Sequence, residues 1–130
     1  MSNFKFGKKS MGHLTGSENG VFVNSKLQEL CLAVLSRSPI DFMIVDGVRT
    51  IAEQKINVKK GYSKTMKSKH LLGRAIDFAP ILSAGLPNWE NIDGFKTIGK
   101  LFKVVAKEMK LDITWGGDWT WKDWGHIQLN

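Results

Sequence analysis

Two segments of the chain carry residues whose types and spacing are typical of metal-dependent hydrolysis. Residues 68–77 have the sequence Ser-Lys-His-Leu-Leu-Gly-Arg-Ala-Ile-Asp, and residues 123–126 have the sequence Asp-Trp-Gly-His. Together they supply two imidazoles and two carboxylates. Two histidines and one carboxylate can bind a catalytic zinc ion whose fourth position is open to water. A second carboxylate, which is not a ligand, can take the proton from that water, so the set indicates a hydrolase.

Spacing alone leaves other interpretations of these residues open. His70 and Asp77 are seven positions apart, so they need not share a helix face, and His126 must come from a remote segment. Gly73 lets the chain turn between the first two. Taken singly, each histidine is also compatible with a buried core residue or with a simple partner of a carboxylate.

Hydrophobic periodicity predicts the elements that position these side chains. Residues 1–23 are expected to form an extended arm with loops, and residues 61–69 a mobile polar loop. A capping box over Ser25–Gln28 is expected to begin the first helix, which Pro39 ends. Further helices are predicted over 51–58 and 93–110, and strands over 40–45, 75–79, 112–115 and 125–129. Segregated helices and short strands indicate an α+β fold with an antiparallel sheet.

The bulk composition is that of one small globular domain. The 130 residues are 42% hydrophobic and 24% charged, so a single domain over 1–130 is expected, without a separate cell-wall-binding domain. The 19 basic and 12 acidic residues give a net charge of +7, which favours polyanionic surroundings. Cys31 is predicted to be a small buried side chain in a protein made in a reducing cytoplasm. We recognise no signal peptide and no membrane-spanning run.

These motifs resemble the zinc D,D-peptidase and L-alanyl-D-glutamate peptidase superfamily, which includes VanY-type carboxypeptidases and many phage endolysins. The pattern is Ser-x-His-x-x-Gly-x-Ala-x-Asp, followed far downstream by a carboxylate three residues before a histidine. The resemblance covers nearly the whole chain and is strongest to short, single-domain endolysins of coliphages. Further matching segments are residues 4–8, 44–50, 75–80 and 125–127. The resemblance implies a hedgehog/D,D-peptidase-like fold, with a small antiparallel sheet and flanking helices.

The resemblance also implies roles for the motif residues. His70, Asp77 and His126 would bind one zinc ion, and Asp123 would act as the general base. Asp118, five positions earlier, is the alternative base. Some related endolysins have a longer acidic loop that could hold calcium. The short spacer here offers few oxygen ligands, so no calcium site is predicted.

Other positions match the family pattern for substrate binding. Arg49 stands where family members have an arginine that contacts the substrate or the developing oxyanion, a task that suits its planar fork. Ser68 and Gln54 are expected to contact the substrate or the zinc ligands. Trp121 and Trp124 are expected to line a groove for the sugar-peptide polymer, since flat aromatic faces suit such ligands. For Trp119, as for Trp121 and Trp124, simple packing is the alternative to substrate contact. Trp115 is expected in the core.

The resemblance implies a phage-type endolysin that hydrolyses the L-alanyl-D-glutamate bond of peptidoglycan. Such an enzyme is expected to accumulate in the host cytoplasm and to act on the cell wall once the inner membrane is breached. Its expected partners are peptidoglycan and the anionic envelope rather than nucleic acid, and a monomer suffices. Two alternatives remain: a D-Ala-D-Ala carboxypeptidase with the same zinc site, and a non-catalytic, zinc-stabilised binding module. A prediction that the protein binds nucleic acid would rest on its net positive charge alone.

Overall fold

Helices surround a small antiparallel sheet in the computed structural model, which describes residues 2–63, 65–83 and 85–130. The α-helices are α1 (Lys8–Thr15), α2 (Ser25–Arg37), α3 (Ile51–Lys59) and α4 (Ile92–Glu108). The strands are β1 (Ser17–Glu18), β2 (Val21–Phe22), β3 (Phe42–Asp46), β4 (Ala75–Ser83), β5 (Leu86–Pro87), β6 (Ile113–Trp115) and β7 (His126–Leu129). Two 3₁₀ helices cover Lys69–Leu72 and Gly116–Asp118. No helix within the described ranges has the length and apolarity needed to cross a membrane.

The main sheet separates a hydrophobic core from a polar face. Its strand order is β3-β4-β7-β6, with β5 paired to the end of β4, and every pairing is antiparallel. Alternate residues of a strand point to opposite faces. Ile76 and Phe78 on β4 and Ile127 on β7 are therefore buried in the core, whereas Asp77 and His126 lie on the other face. The predicted α+β class and antiparallel sheet are confirmed.

Helices α2 and α4 complete the core, as the periodicity predicts. Their buried residues pack with the sheet into one cluster. The rings of Phe42, Phe78 and Phe102 meet there, with centroids 5.3 to 5.9 Å apart. Cys31 is fully buried, and burial raises the pKa of its thiol, so it is an inert core side chain as predicted. Trp115 is also buried, as predicted.

The prediction of an extended N-terminal arm is wrong. Residues 8–15 form α1, and the strands β1 and β2 pair as a hairpin directly after it. Leu14 of α1 is buried in the core, and the Ser10 hydroxyl accepts a hydrogen bond of 3.1 Å from the backbone N–H of Ile44 on β3. The segment is rich in lysine and glycine, so its helix depends on contacts with the sheet rather than on its own periodicity.

The helix starts also differ from prediction. Asn24, not Ser25, caps α2, and its side-chain oxygen accepts from the backbone N–H groups of Lys26 and Leu27. A capping box is present instead at α3, between Thr50 and Glu53.

The predicted loop over 61–69 includes Lys64, which lies outside the described residues, and the chain enters a 3₁₀ helix at Lys69.

Candidate active site

Three neighbouring strands bring acidic and imidazole side chains to the same level of the polar face. Asp77 on β4 pairs directly with His126 on β7 and with Asp46 on β3. The register of β3 shifts between Ile44 and Asp46, which indicates a β-bulge at Val45. Such bulges redirect side chains and are common next to active sites. The bulge sets Asp46 opposite Asp77 in the sheet.

His70 reaches this position from the 3₁₀ helix beside the sheet. The Ser68 hydroxyl accepts a hydrogen bond from the backbone N–H of His70 and so caps that helix. Gly73 ends the helix with a φ of +69°, and a Cβ there would overlap the carbonyl oxygen of Phe22. The expected turn at Gly73 is therefore confirmed. It directs the chain into β4, four residues before Asp77.

The three side chains form a compact donor set. His70 Nε2 and His126 Nδ1 each lie 3.3 Å from Asp77 Oδ1, and the candidate ligand atoms are all within 4.8 Å of one another. The second nitrogen of each ring also has a partner. His70 Nδ1 is 2.8 Å from the carbonyl oxygen of Gly47, and His126 Nε2 is 2.9 Å from the side-chain oxygen of Gln128.

This donor set fits a metal ion such as zinc. Two imidazole nitrogens and one carboxylate oxygen are a common protein ligand set for catalytic zinc. The partners at Gly47 and Gln128 accept the N–H of one ring nitrogen, so the nitrogen that faces Asp77 is the one that can give up its proton and bind a metal. The geometry thus brings the three sequence-predicted ligands together as a possible metal site.

The carboxylate of Asp77 is electrostatically central to this cluster. Burial by itself would raise its pKa, but the His70 imidazole and hydrogen bonds from both histidines hold the pKa far below the usual range. Burial by itself would lower the pKa of His70, but the Asp77 carboxylate raises it above its usual value. Asp77 is therefore ionised under all ordinary conditions, as a metal ligand must be.

Arg49 is buried beneath this carboxylate and is fully engaged with protein groups. Its Nε and Nη2 donate to Asp46 Oδ2 at 3.1 and 2.6 Å, and Nη2 also lies 3.4 Å from Asp77 Oδ2. Its Nη1 donates to Gln54 Oε1 at 2.6 Å. Every guanidinium nitrogen thus has a protein partner, and these bonds hold Asp77 in place. Arg49 also lines the groove described below, so its contact with substrate stays a prediction.

Gln54 lies behind Arg49, and its side chain is completely buried. This burial does not fit the predicted contact with substrate. Its amide nitrogen donates to Ser63 Oγ at 2.8 Å and to the carbonyl oxygen of Thr65 at 2.5 Å, while its oxygen accepts from Arg49. Gln54 thereby ties the segment around Ser63 and Thr65 to the arginine that holds Asp77.

Replacing Gln54 by alanine is expected to destabilise the metal-free protein by about 1–3 kcal/mol. The change removes the acceptor of Arg49 Nη1 and the 2.5 Å hydrogen bond to the Thr65 carbonyl oxygen, and unsatisfied buried groups cost about that much. Urea unfolding in the presence of a chelator measures the change. Gln28→Ala is the matched control, since Gln28 also lies on a helix but makes one partly buried hydrogen bond. Equal unfolding midpoints for the two variants would contradict the role assigned to Gln54.

Asp123 lies beside the His70–Asp77–His126 cluster, in the loop before β7. Its backbone N–H donates to the carbonyl oxygen of Gly116, where a Cβ would overlap the carbonyl oxygen of Asp123. Burial and the nearby Asp77 carboxylate raise the pKa of Asp123 to about 6. Within the described residues its carboxylate accepts no hydrogen bond, so it can accept a proton from a bound water. Asp118, the alternative base, instead forms a surface ion pair with Lys103.

A groove with a cavity volume of about 660 Å³ opens over the cluster. Ser68, Trp119 and Trp121 line it, and the Trp119 ring centroid lies 5.0 Å from that of His126. Trp121 is 40% exposed. Trp124 lines a smaller adjoining cavity of about 210 Å³, and its ring packs near Trp115.

Trp89 is a groove residue that the sequence motifs miss. It is 58% exposed, stacks on Phe95 at an interplanar angle of 18°, and lines both cavities. It lies in the connection between β5 and α4, outside every sequence motif. A tryptophan in a polar connecting segment was the only local signal of a surface role.

Comparison with known proteins agrees with this geometry. The model of a family described as phage L-alanyl-D-glutamate peptidase matches residues 1–128. The chain belongs to this family. The L-alanyl-D-glutamate peptidase of Escherichia phage T5 is 34% identical, and the match covers 98% of both chains. The resemblance inferred from the motifs is thereby confirmed.

Solved structures of peptidases share the architecture. The L-Ala D-Glu endopeptidase ChiX of Serratia marcescens superposes with a TM-score of 0.79 at 32% identity, over 95% of this chain and 87% of ChiX. The vancomycin resistance D,D-dipeptidase VanXYg superposes with a TM-score of 0.51 at 15% identity, over 85% of this chain and 51% of VanXYg. The second likeness shows the fold alone. Together the two confirm the predicted D,D-peptidase-like fold of this member of the peptidase family.

Proposed function

We propose that this protein is a zinc-dependent endopeptidase that hydrolyses the L-alanyl-D-glutamate bond in peptidoglycan stem peptides, as a phage endolysin does. One observation carries the proposal: Asp123, with a raised pKa, borders the same groove as the His70–Asp77–His126 cluster. The family membership and the full-length match to the phage T5 peptidase support the choice of bond. A non-catalytic binding module has no need of a second carboxylate beside the cluster.

Each residue has a distinct part in this proposal. His70, Asp77 and His126 would hold zinc, which, when bound, activates water and polarises the scissile carbonyl. Arg49 holds the second oxygen of Asp77, so that the first oxygen stays directed toward the two imidazoles. Hydrogen bonds at the far nitrogen of each imidazole fix the tautomers that leave the ligand atoms unprotonated.

Asp123 would carry the proton during the reaction. It accepts a proton from the attacking water and returns it to the amine of the departing D-glutamyl residue. A pKa near neutrality suits both transfers, because the group must bind and release a proton in one cycle. Trp119 lies against His126 on the groove wall, where it would limit the access of other water to the reacting atoms.

The enzyme would act at the cell wall, with peptidoglycan as its partner. The net charge of +7 would favour association with the anionic envelope around that polymer. One copy of the chain supplies the whole proposed catalytic set, so a monomer would suffice.

A digest of purified Gram-negative peptidoglycan, analysed by mass spectrometry, tests the proposal directly. The zinc-loaded protein is expected to release stem peptides that begin at D-glutamate, with loss of activity on chelation and recovery on adding zinc. Release of terminal D-alanine alone would indicate a carboxypeptidase. Absence of any product from folded, zinc-loaded protein would contradict the peptidase assignment and favour a binding module.

The pH dependence of hydrolysis is expected to have an acid limb set by Asp123. Only the ionised carboxylate can accept a proton, so kcat/KM should fall as pH decreases through the pKa of Asp123. That pKa is about 6 in the metal-free protein, and a nearby dication would lower it, so the midpoint should lie at or below about 6. Initial rates on a soluble stem peptide at constant ionic strength measure the profile. An acid limb that survives unchanged in the residual activity of Asp123→Asn would assign it to another group.

A further inference from the structure

The groove contains three cations among its described lining residues, and two of them have no ion-pair partner in the described part of the chain. Arg49 is committed to Asp46, Asp77 and Gln54. Lys67 and Lys69 line the same groove, and neither forms a salt bridge with a described residue. Two positive charges are therefore available to a ligand that enters the groove.

Both lysines lie on a segment that is fixed next to His70. Lys69 is the first residue of the 3₁₀ helix and directly precedes His70. The backbone N–H of Lys67 donates to the Thr65 hydroxyl at 2.9 Å, and the carbonyl oxygen of Thr65 accepts from Gln54. Between the two lysines, the Ser68 hydroxyl caps the 3₁₀ helix. The backbone that carries these charges is thus held in place relative to His70.

The substrate of the proposed function carries a charge that suits these lysines. A D-glutamate residue acylated on its amine by L-alanine has two carboxyl groups. When one continues the peptide, the other is free and ionised at neutral pH. Asp123 would repel this carboxylate, whereas Lys67 and Lys69 would attract it, and Arg49 is already engaged.

We propose that Lys67 and Lys69 bind the free carboxylate of the glutamyl residue and make the enzyme selective for stem peptides in which that group is not amidated. The proposal rests on the proposed endopeptidase function. It assigns the two lysines to substrate selection, and it places the glutamyl side of the scissile bond toward the segment around Lys67–Lys69.

Paired synthetic stem peptides test this selectivity. One peptide carries the free glutamyl carboxylate, and the other carries its amide. Zinc-loaded wild-type protein is expected to have a kcat/KM roughly three- to tenfold higher for the free acid, with the preference decreasing at high salt. In the double variant Lys67→Gln/Lys69→Gln the ratio should fall toward one. Lys100→Gln, which removes an exposed lysine of α4 outside the groove, should keep the wild-type ratio.

The outcomes separate this proposal from the one on which it rests. If wild-type protein cleaves both peptides but shows no preference, or if the double variant keeps the preference, the lysine proposal is overturned and the endopeptidase function stands. If folded, zinc-loaded wild-type protein cleaves neither peptide, the endopeptidase function itself fails. If the double variant loses the preference, single variants at Lys67 and Lys69 show which of the two lysines carries the selectivity.

Discussion

Replacement of Asp123 by asparagine is expected to lower kcat/KM on a soluble stem peptide by about 10²- to 10⁴-fold, the range typical for loss of a general acid-base group. Asparagine has nearly the same shape as aspartate but cannot accept the proton of the attacking water. The backbone hydrogen bond between Asp123 and Gly116 does not involve the side chain, so the loop should keep its position. Peptide hydrolysis measured beside zinc content and melting temperature separates loss of chemistry from loss of structure.

Asp118→Asn is the matched control for this experiment. Asp118 lies five positions earlier, and its carboxylate pairs with Lys103 at the surface rather than facing the groove. Exposed ion pairs of this kind contribute about 0–1 kcal/mol to stability, so the control should fold and hydrolyse the peptide normally. If Asp118→Asn lost activity while Asp123→Asn kept it, the assignment of the base would have to be reversed.

Replacement of Asp77 by asparagine is expected to reduce zinc affinity by about 100-fold or more. Removal of a residue that hydrogen-bonds to a metal ligand already lowers metal affinity 10- to 100-fold, and Asp77 is proposed as a ligand itself. The neutral amide removes the negative charge that lies 3.3 Å from both ligand nitrogens. Competition with a chromogenic chelator measures the affinity. Zinc is expected to raise the melting temperature of the wild-type protein, and this rise should be smaller in the variant.

Asp46→Asn provides a graded comparison. Asp46 contacts Arg49 but not the imidazoles, so its loss should loosen the arginine that holds Asp77 and leave the three ligands in place. The expected loss of zinc affinity is about 10- to 100-fold, smaller than that for Asp77→Asn. An Asp77→Asn variant that binds zinc as tightly as the wild type would remove Asp77 from the ligand set.

Local pattern was enough to predict several parts of the molecule. The apolar spacing in α2 and α4 predicted both helices, because each buries one face against the sheet and that face recurs at the helical period. The motif around His70 and Asp77, with the distant His126, predicted the residues that the fold brings within 4.8 Å. The helices follow from residue type and spacing, whereas the ligand set also depends on the resemblance of the whole motif to a known family.

The contacts of Arg49 and Gln54 depend on the tertiary structure. The bulge in β3 sets Asp46 opposite Asp77, and in that register one guanidinium contacts both carboxylates. Gln54 is buried because the segment around Thr65 folds over it. The resemblance to the family pattern suggested substrate contact for both side chains, and a sequence pattern does not show which side chains are buried.

Long-range contacts explain the remaining differences between the predicted and the observed structure. Helix α1 has few apolar residues and forms against the edge of β3, a contact that no local pattern encodes. Trp89 joins the groove through its stacking on Phe95, although its own segment carries no motif. The sequence by itself determined which residue types could bind a metal and move a proton. Tertiary structure decided which of them face the groove, because burial and strand register are set by segments far apart in the chain.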